Sequence, residues 1–293
     1  MNLTTENFYI QKKGHWLRFY HSIADNKKVQ QFVFQKCLSP EKIPKMKLKV
    51  QQQFEELLPQ IPDFGNKRSN TFSTDMIKTA LSLAFYRSFK AEGFQLQTIG
   101  QILYEIADVY HRSLNPLIRY IMRRPYFSSS FQKKIKKALE NRKNSADPED
   151  YQCTFIEGDQ KNLLFGIDYT NCAGLNFLKH QNASELAPYL CLCDYPMYRA
   201  IKVGFNRAQN SAIGGTTCAF RFYRNYPSGG WPPEEVTEYK DFNLINKDER
   251  ALRTVTLSHS FNIAQSQQNF STVTKRSCKK RALIYCIFLS VLG

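Results

Sequence analysis

The feature that most constrains this fold is a change in the spacing of apolar residues near the middle of the chain. Before the polar segment NSADPED at 144–150, apolar residues recur every three or four positions, as at Ile77, Leu81 and Phe85, which is the spacing of amphipathic helices. After it, short apolar runs bounded by glycine and polar residues are typical of strands. Helices that precede strands, rather than alternate with them, predict an α+β fold with an antiparallel sheet.

The same change of spacing divides the chain into segments. We predict an N-terminal helical layer, with helices over 12–34 and 46–58 among others, packed on a C-terminal antiparallel sheet with inserted helices. In the sheet we expect two strands joined by the turn GDQKN, then one or two helices, then two further strands. The segments are an N-terminal helical extension at 1–70, a helical layer at 71–143, the sheet with helices and the candidate site at 151–240, and a tail at 241–293.

The positive charge of the chain is concentrated in its first half. The formal net charge is +16, and residues 1–150 carry 25 Lys and Arg against 14 Asp and Glu, whereas residues 151–274 carry 11 of each. Within 112–143, ten basic residues and several aromatic residues accompany a single acidic residue, Glu140. Cations beside aromatic rings can bind the phosphates and stack on the bases of nucleic acid. Nucleic-acid binding through 112–143 is the lesser alternative, because no RNP, KH or zinc-finger pattern is present.

The cysteines and the two ends of the chain bear on where the protein works. The first residues, MNLTTENFYIQKKGHW, have no apolar stretch and no small-residue cleavage site, so we expect a cytoplasmic protein whose eight cysteines are reduced. The cysteine spacing matches no CxxC pair, so neither a metal nor another cofactor is expected. An apolar run at 282–292 follows the basic sequence KRSCKKR. It is too short to span a bilayer and predicts at most a weak contact with a membrane surface.

Polar and cysteine side chains cluster where the predicted elements of 165–224 end. Side chains at the ends of neighbouring elements can converge on one pocket, with a few polar groups that fix a ligand. The clusters are Asp168 and Tyr169 with Cys172 at a strand-to-helix junction, Cys191, Cys193, Asp194 and Tyr195 within one predicted helix, and Arg207, Gly214, Gly215 and Cys218 on the closing hairpin.

In this order and spacing, the clusters resemble the L-2-amino-thiazoline-4-carboxylic acid hydrolase family. The matching sequences are DYTNC at 168–172, CLCDY at 191–195, and Arg207 followed by GGTTCAF at 214–220. The chain departs from the family pattern at Ala219, where an Asp is expected. If that carboxylate is catalytic in the family, its absence alters or abolishes the activity here.

The resemblance implies a small-molecule substrate and a hydrolytic reaction. The family opens the ring of a cyclic amidine that carries a carboxylate, which breaks a C–N or C–S bond at the ring carbon between nitrogen and sulfur. The reaction needs a nucleophile, a carboxylate that transfers protons, and a cation for the carboxylate of the substrate. The candidates are Cys172 and Cys191 as nucleophile, Asp194 and Asp168 as acid/base, Arg207 as carboxylate anchor, and Tyr169, Gly214, Gly215 and Cys218 as further substrate-binding residues.

Structural roles compete with these assignments. A buried cysteine is commonly a small apolar residue, Asp168 can cap the helix that follows it, and hairpin glycines serve turn geometry. Asp194 is harder to explain in this way, since a buried carboxylate needs a partner, for which Arg207 is the expected choice. The alternative function is a non-enzymatic small-molecule-binding or regulatory module, which the change at Ala219 favours. No HExxH, GxSxG or Walker A sequence indicates another chemistry.

Overall fold

The computed structural model describes residues 7–64, 72–142, 147–159 and 161–225. The tail at 241–293, together with the apolar run for which membrane-surface contact is expected, lies outside these residues. Within them, no helix combines the length and the apolar character needed to cross a membrane.

The regular elements described before residue 143 are all helical, as the apolar spacing predicts. A π-helical turn at Gln30–Phe34 and 3₁₀ turns at Leu58–Gln60 and Arg124–Phe127 connect some of them. The helices are α1 (Phe8–Gln11), α2 (Lys13–Ala24), α3 (Lys27–Val29), α4 (Gln35–Cys37), α5 (Lys42–Leu57), α6 (Ser73–Lys90), α7 (Leu96–Ser113), α8 (Pro116–Arg123) and α9 (Ser129–Arg142).

The single helix predicted over 12–34 is interrupted after Ala24. Asn26 adopts an extended conformation there, and its side chain accepts hydrogen bonds from the backbone amides of Lys28 and Val29 at 3.0 and 3.2 Å. An Asn in this position caps a new helix, because it satisfies amides that have no partner within the helix. The prediction of one continuous helix was therefore wrong at this point, although both halves are helical.

Helix α6 is the central helix of the layer. Its buried residues lie on all sides of the helix, which is typical of a helix surrounded by protein. The ring of Phe85 on α6 lies 6.5 Å from that of Tyr20 on α2 and 6.3 Å from that of Phe34. The helices of the N-terminal segment therefore share one apolar core with the layer that follows them.

The sheet has four antiparallel strands in the order β1-β2-β4-β3, which confirms the predicted α+β fold. The first turn begins at Gly158, where a Cβ atom would lie 2.2 Å from the carbonyl oxygen of Leu164. Asp159 then closes the turn by accepting hydrogen bonds from three backbone amides that follow it. The strands are β1 (Gln152–Glu157), β2 (Leu163–Asn171), β3 (Gly204–Arg207) and β4 (Cys218–Tyr223).

Side chains along β2 and β4 alternate between the two faces of the sheet. The register pairs Tyr169 with Cys218 and Asp168 with Ala219, and directly paired residues share a face. The face that carries Tyr169 and Cys218 is covered by helical residues such as Tyr126, which packs on its aromatic rings. We call this the inner face, and the face that carries Asp168 and Ala219 the outer face.

Three short helices lie between β2 and β3, where the sequence predicted one or two. They are α10 (Ala173–His180), α11 (Ala187–Leu192) and α12 (Asp194–Ala200). The sequence predicted that Cys191 and Asp194 lie in one helix. They lie in two, because the helix is interrupted between them at Cys193. The cause is Pro196, which has no amide hydrogen and whose ring clashes with the carbonyl of the residue four positions earlier. That residue is Leu192, where α11 ends.

Candidate active site

A cavity of about 340 Å³ lies between the inner face of the sheet and the helices. This volume is near the lower end of the range for small-molecule pockets, roughly 300–1,000 Å³. Most of the wall is apolar, with aromatic side chains from both layers, but a group of ionisable side chains from distant parts of the chain also lines it. They are Asp75, Lys78, Cys172, Cys191, Asp194, Arg207 and Cys218.

Arg207 and Asp194 form an ion pair in the cavity wall. The Arg207 side chain, at the end of β3, is 1% exposed, and its Nη2 donates to Asp194 Oδ2 at 2.5 Å. Its Nη1 donates to the carbonyl oxygen of Cys191 at 2.9 Å, and the guanidinium lies 4.5 Å from the centre of the Phe220 ring. Arg207 is thus held by a carboxylate, a carbonyl and an aromatic face, which are the three partners that suit a planar guanidinium.

The environment of Asp194 changes its acidity. Burial raises the pKa of the Asp194 carboxyl, while the nearby cations of Arg207 and Lys78 lower it, and the net pKa is above the ordinary value. About a third of the Asp194 side chain, 35%, is exposed, and the residue lines the cavity. A carboxyl with a raised pKa that faces an enclosed pocket has the properties of a group that accepts and returns protons.

Asp75 and Lys78 form a second ion pair in the cavity wall. They lie one turn apart on α6, and Lys78 Nζ donates to Asp75 Oδ1 at 3.1 Å. Burial alone would lower the pKa of Lys78, but the carboxylates of Asp75 and Asp194 outweigh it and the pKa is raised. Lys78 is therefore an ammonium ion at neutral pH, and it is attracted to both carboxylates of the cavity.

The two cysteines predicted as nucleophiles both line the cavity. Burial raises the pKa of the Cys172 thiol to about 12, although backbone amides at the start of α10 act in the opposite direction. Burial also raises the pKa of Cys191 well above that of an ordinary thiol, against the influence of Arg207. A thiol with a raised pKa is protonated at neutral pH, and the protonated form is a poor nucleophile.

The remaining predicted substrate-binding residues differ in position. Tyr169 and Cys218 line the cavity, and Cys218 Sγ also accepts a hydrogen bond from the backbone amide of Ser211 at 3.3 Å. Gly214, with φ of +96°, provides the left-handed turn between β3 and β4. A Cβ atom on Gly215 would lie 2.8 Å from the carbonyl oxygen of Asn210. The two glycines therefore serve the geometry of the β3–β4 loop, and neither belongs to the cavity wall.

Asp168, predicted as an acid/base candidate, lies on the outer face of the sheet. Its Oδ1 accepts a hydrogen bond from Arg221 Nη1 at 2.5 Å, and the side chains are 28% and 20% exposed. It does not cap α10 either, since the residue at the cap position is Cys172. The pleat of β2 separates Asp168 from the cavity, because it points the side chain opposite to that of Tyr169. The prediction that Asp168 joins the other candidates in one pocket was wrong.

The position of Ala219 follows from the same register. Ala219 pairs with Asp168, so a side chain at this position points to the outer face. The Asp that the family pattern leads one to expect here would point away from the cavity. Its replacement by alanine therefore removes no carboxylate from the group formed by Asp75, Lys78, Asp194 and Arg207.

Sequence reasoning missed Asp75 and Lys78 as site residues. Asp75 was interpreted as a helix-dipole residue, and it does lie in the first turn of α6. The sequence of the helix gives little indication of the pair, because Asp75, Lys78 and Ser82 follow one another at helical spacing, as on a solvated face. Only the packing around α6 shows that this side of the helix lines the cavity.

Among the residues that the structure describes, no three His, Cys, Asp or Glu side chains are arranged to hold a metal ion. The charged and thiol groups of the cavity wall are the cations of Lys78 and Arg207, the carboxylates of Asp75 and Asp194, and the four thiols of Cys172, Cys191, Cys193 and Cys218.

The fold and cavity define an α+β protein with a small pocket that contains opposite charges. The family model for L-2-amino-thiazoline-4-carboxylic acid hydrolase matches residues 74–222, just over half of the 293 residues. The chain belongs to this family. The match extends from the first turn of α6 to the end of β4, and so includes every ionisable residue of the cavity wall named above. Neither a curated protein nor a solved structure matches the chain.

Proposed function

We propose that the protein hydrolyses a small cyclic amidine that carries a carboxylate, such as 2-amino-thiazoline-4-carboxylate, and opens its ring. The observation that carries the proposal is the Asp194–Arg207 pair in the wall of a small cavity, within the part of the chain that matches the family. The pair supplies a carboxyl group of raised pKa in a fixed orientation. A hydrolase that activates water needs such a group.

In the proposed reaction, Asp194 acts as general base and then as general acid. Its carboxylate accepts a proton from a water molecule whose oxygen bonds to the ring carbon between nitrogen and sulfur. The electron pair of the C–N double bond moves to the ring nitrogen, which holds the amidinium proton. The bond from the ring carbon to sulfur then breaks, the hydroxyl group on that carbon releases its proton to solvent as it becomes the carbonyl, and the sulfur leaves with the proton that Asp194 returns. The product is N-carbamoyl-cysteine, in which the ring carbon has become the carbonyl of a urea group and the sulfur a free thiol.

Arg207 is proposed to position Asp194 rather than to bind the substrate directly. Its side chain is 1% exposed, and two of its five N–H donors are held, one by Asp194 and one by the carbonyl of Cys191. The stack on Phe220 fixes the plane of the guanidinium. A base that is held by such a partner keeps one orientation, which favours proton transfer in a defined direction.

Water is the proposed nucleophile, because the raised pKa values of the Cys172 and Cys191 thiols oppose formation of a thiolate. The cysteines then contribute small, polarisable surface to the pocket. The alternative of covalent catalysis by Cys172 or Cys191 predicts a different result in the experiment below.

The test is release of the product thiol from 2-amino-thiazoline-4-carboxylate by the purified full-length protein. Asp194→Asn should lower kcat by about 10²- to 10⁴-fold, the usual contribution of a general base. Cys172→Ala and Cys191→Ala should keep most of the activity. The matched control is Asp168→Asn, which alters the carboxylate of the outer face and should leave turnover unchanged.

Each other outcome changes the proposal in a defined way. A parent protein without turnover would reject the hydrolase and favour a binding or regulatory module. Loss of turnover in a cysteine variant equal to that in Asp194→Asn would replace the water mechanism by a covalent one. Equal losses in Asp168→Asn and Asp194→Asn would reject the assignment of the cavity as the active site. Thermal unfolding of each variant separates loss of chemistry from loss of fold.

A further inference from the structure

The cavity contains a charged pair that the proposed chemistry does not use. Asp75 and Lys78 lie on α6, far in sequence from the motifs between 168 and 220. The side chains of Asp75 and Lys78 are 47% and 33% exposed, and both line the cavity. An ammonium ion in such a place costs free energy unless it is compensated, so its presence calls for a partner beyond Asp75 or for a ligand.

We propose that Lys78 binds the carboxylate group of the substrate. This inference rests on the proposed hydrolase function and names a residue that the sequence motifs do not include. It also reassigns the role of carboxylate anchor, for which Arg207 was the candidate in the sequence motifs.

The first argument is the inventory of cations at the cavity. Arg207 already donates to Asp194 and to the Cys191 carbonyl, and its side chain is 1% exposed. Burial lowers the pKa of His111 to about 4, so this imidazole is neutral at pH 7. Lys78 remains charged, and the exposed part of its side chain lies in the cavity wall. Of these three residues, Lys78 is the cation best placed to meet an incoming anion.

The second argument is hydrogen-bonding capacity. An ammonium ion has three N–H donors, and the bond to Asp75 Oδ1 at 3.1 Å uses one of them. A carboxylate that enters the cavity can accept from another donor without displacing Asp75. Asp75 then orients the lysine, because the two residues are one turn apart on a rigid helix.

The third argument is charge balance. With Asp75, Lys78, Asp194 and Arg207 the cavity wall carries two positive and two negative charges. A substrate with one amidinium and one carboxylate adds no net charge. Lys78 is attracted to Asp194 as well as to Asp75. A small zwitterion can therefore place its carboxylate at Lys78 while its amidine carbon faces Asp194, and every charge keeps an opposite neighbour.

The experiment compares two compounds that differ in the carboxylate alone. The parent protein and Lys78→Met are assayed with 2-amino-thiazoline-4-carboxylate and with 2-amino-thiazoline, which lacks the carboxylate, and binding of both is measured by calorimetry. Lys78→Met should raise the KM for the first compound about 10- to 100-fold, the loss of a charge-assisted hydrogen bond. Its kcat/KM for the second compound should equal that of the parent.

Three further variants serve as controls. Lys90→Met removes a lysine from the exposed end of the same helix, where the side chain is 59% exposed, and should change neither constant. Asp75→Asn combined with Lys78→Met removes both charges, so it tests the anchor even if Lys78→Met alone leaves Asp75 unbalanced and the fold weakened. Lys78→Arg should recover part of the affinity, because it restores a cation.

The outcomes separate this inference from the hydrolase function. An unchanged KM for the carboxylate compound, or equal losses on both compounds, would overturn the role of Lys78 while hydrolysis stands. A parent that binds the carboxylate compound without hydrolysing it rejects the hydrolase. The role of Lys78 then holds if Lys78→Met weakens that binding selectively, and fails if it does not. A parent that neither binds nor hydrolyses either compound overturns both.

Discussion

The two faces of the sheet each carry one arginine–aspartate pair, and the pairs have the same contact distance but different surroundings. Arg207 meets Asp194 on the inner face at 2.5 Å, and Arg221 meets Asp168 on the outer face at the same distance. The Arg207 side chain is 1% exposed, whereas that of Arg221 is 20% exposed. Equal distances therefore do not imply equal energies, because the loss of one partner is costly only where water cannot replace it.

The comparison also explains how a sequence motif is divided in space. Asp168 and Tyr169 are adjacent in the chain, as are Cys218 and Ala219, yet each pair is split between the two faces. Only Tyr169 and Cys218 reach the cavity. A motif that is continuous along a strand therefore places its residues on both faces of the sheet. Of the four residues Asp168, Tyr169, Cys218 and Ala219, two line the pocket and two lie on the opposite face.

The largest expected difference between the faces is in stability. Asp194→Ala leaves the guanidinium of Arg207, whose side chain is 1% exposed, without its carboxylate partner, so the free energy of unfolding should fall by about 3–5 kcal/mol. Urea unfolding at pH 7, monitored by circular dichroism, measures this loss. A loss below that of the outer-face variant Asp168→Ala would contradict the difference in burial between the two arginines, on which the comparison depends.

The next effect concerns acid. Burial lowers the folded-state pKa of His111, which lines the cavity, from 6.5 to about 4. As the pH falls, the unfolded chain takes up this proton first, so the folded state loses stability between about pH 6.5 and pH 4. The loss from this group should reach about 3 kcal/mol at most.

Urea midpoints of the parent and His111→Gln at several pH values between 4 and 7 test this expectation. The variant should be the less pH-dependent of the two, because its side chain does not titrate. Parallel curves for parent and variant would show that His111 is solvated in the folded protein and does not belong to the buried inner region.

The outer-face pair should contribute little. Asp168→Ala should lower the free energy of unfolding by about 0–1 kcal/mol, since water can reach the remaining Arg221 guanidinium, whose side chain is 20% exposed. Raising the salt concentration should reduce the contribution of this pair further, because exposed charges are screened. A loss of several kcal/mol in the same urea assay would place Arg221 and Asp168 in a buried environment and remove the contrast between the faces.

The smallest expected effect is on activity and concerns Ala219. Ala219→Asp restores the residue that the family pattern leads one to expect, but its side chain points to the outer face. Turnover of 2-amino-thiazoline-4-carboxylate should therefore remain at the level of the parent. A clear gain in kcat would mean that the outer face takes part in catalysis, and would support Asp168 as an acid/base residue.

Much of the fold was predictable because the spacing of apolar residues along the chain indicates each helix and strand. The helical spacing before residue 143, the hairpin at 157–163 and the antiparallel sheet all follow from patterns within a few residues. The breaks were harder to predict: Asn26 and Pro196 each end one helix and begin another through the hydrogen bonds that they make or cannot make. These effects are local, but they compete with an apolar spacing that continues across the break.

The candidate site was predictable only in part. The motifs correctly grouped Cys172, Cys191, Asp194, Arg207 and Cys218, all of which line the cavity. The predicted site included Asp168, which does not line the cavity, and omitted Lys78, which does. A helical lysine resembles a solvated residue until the packing around its helix is known.

The sequence by itself determined the order of helices and strands, the membership in the hydrolase family and the residue types available for chemistry. The tertiary structure alone decided which of these residues share a cavity. The register between β2 and β4 joins residues about fifty positions apart, and this register assigns each side chain to a face. The packing of α6 against α7 and α10 then brings a charged pair from almost a hundred positions earlier to the same cavity. Such distances exceed what any local pattern can encode, because the contacts exist only once the chain has folded.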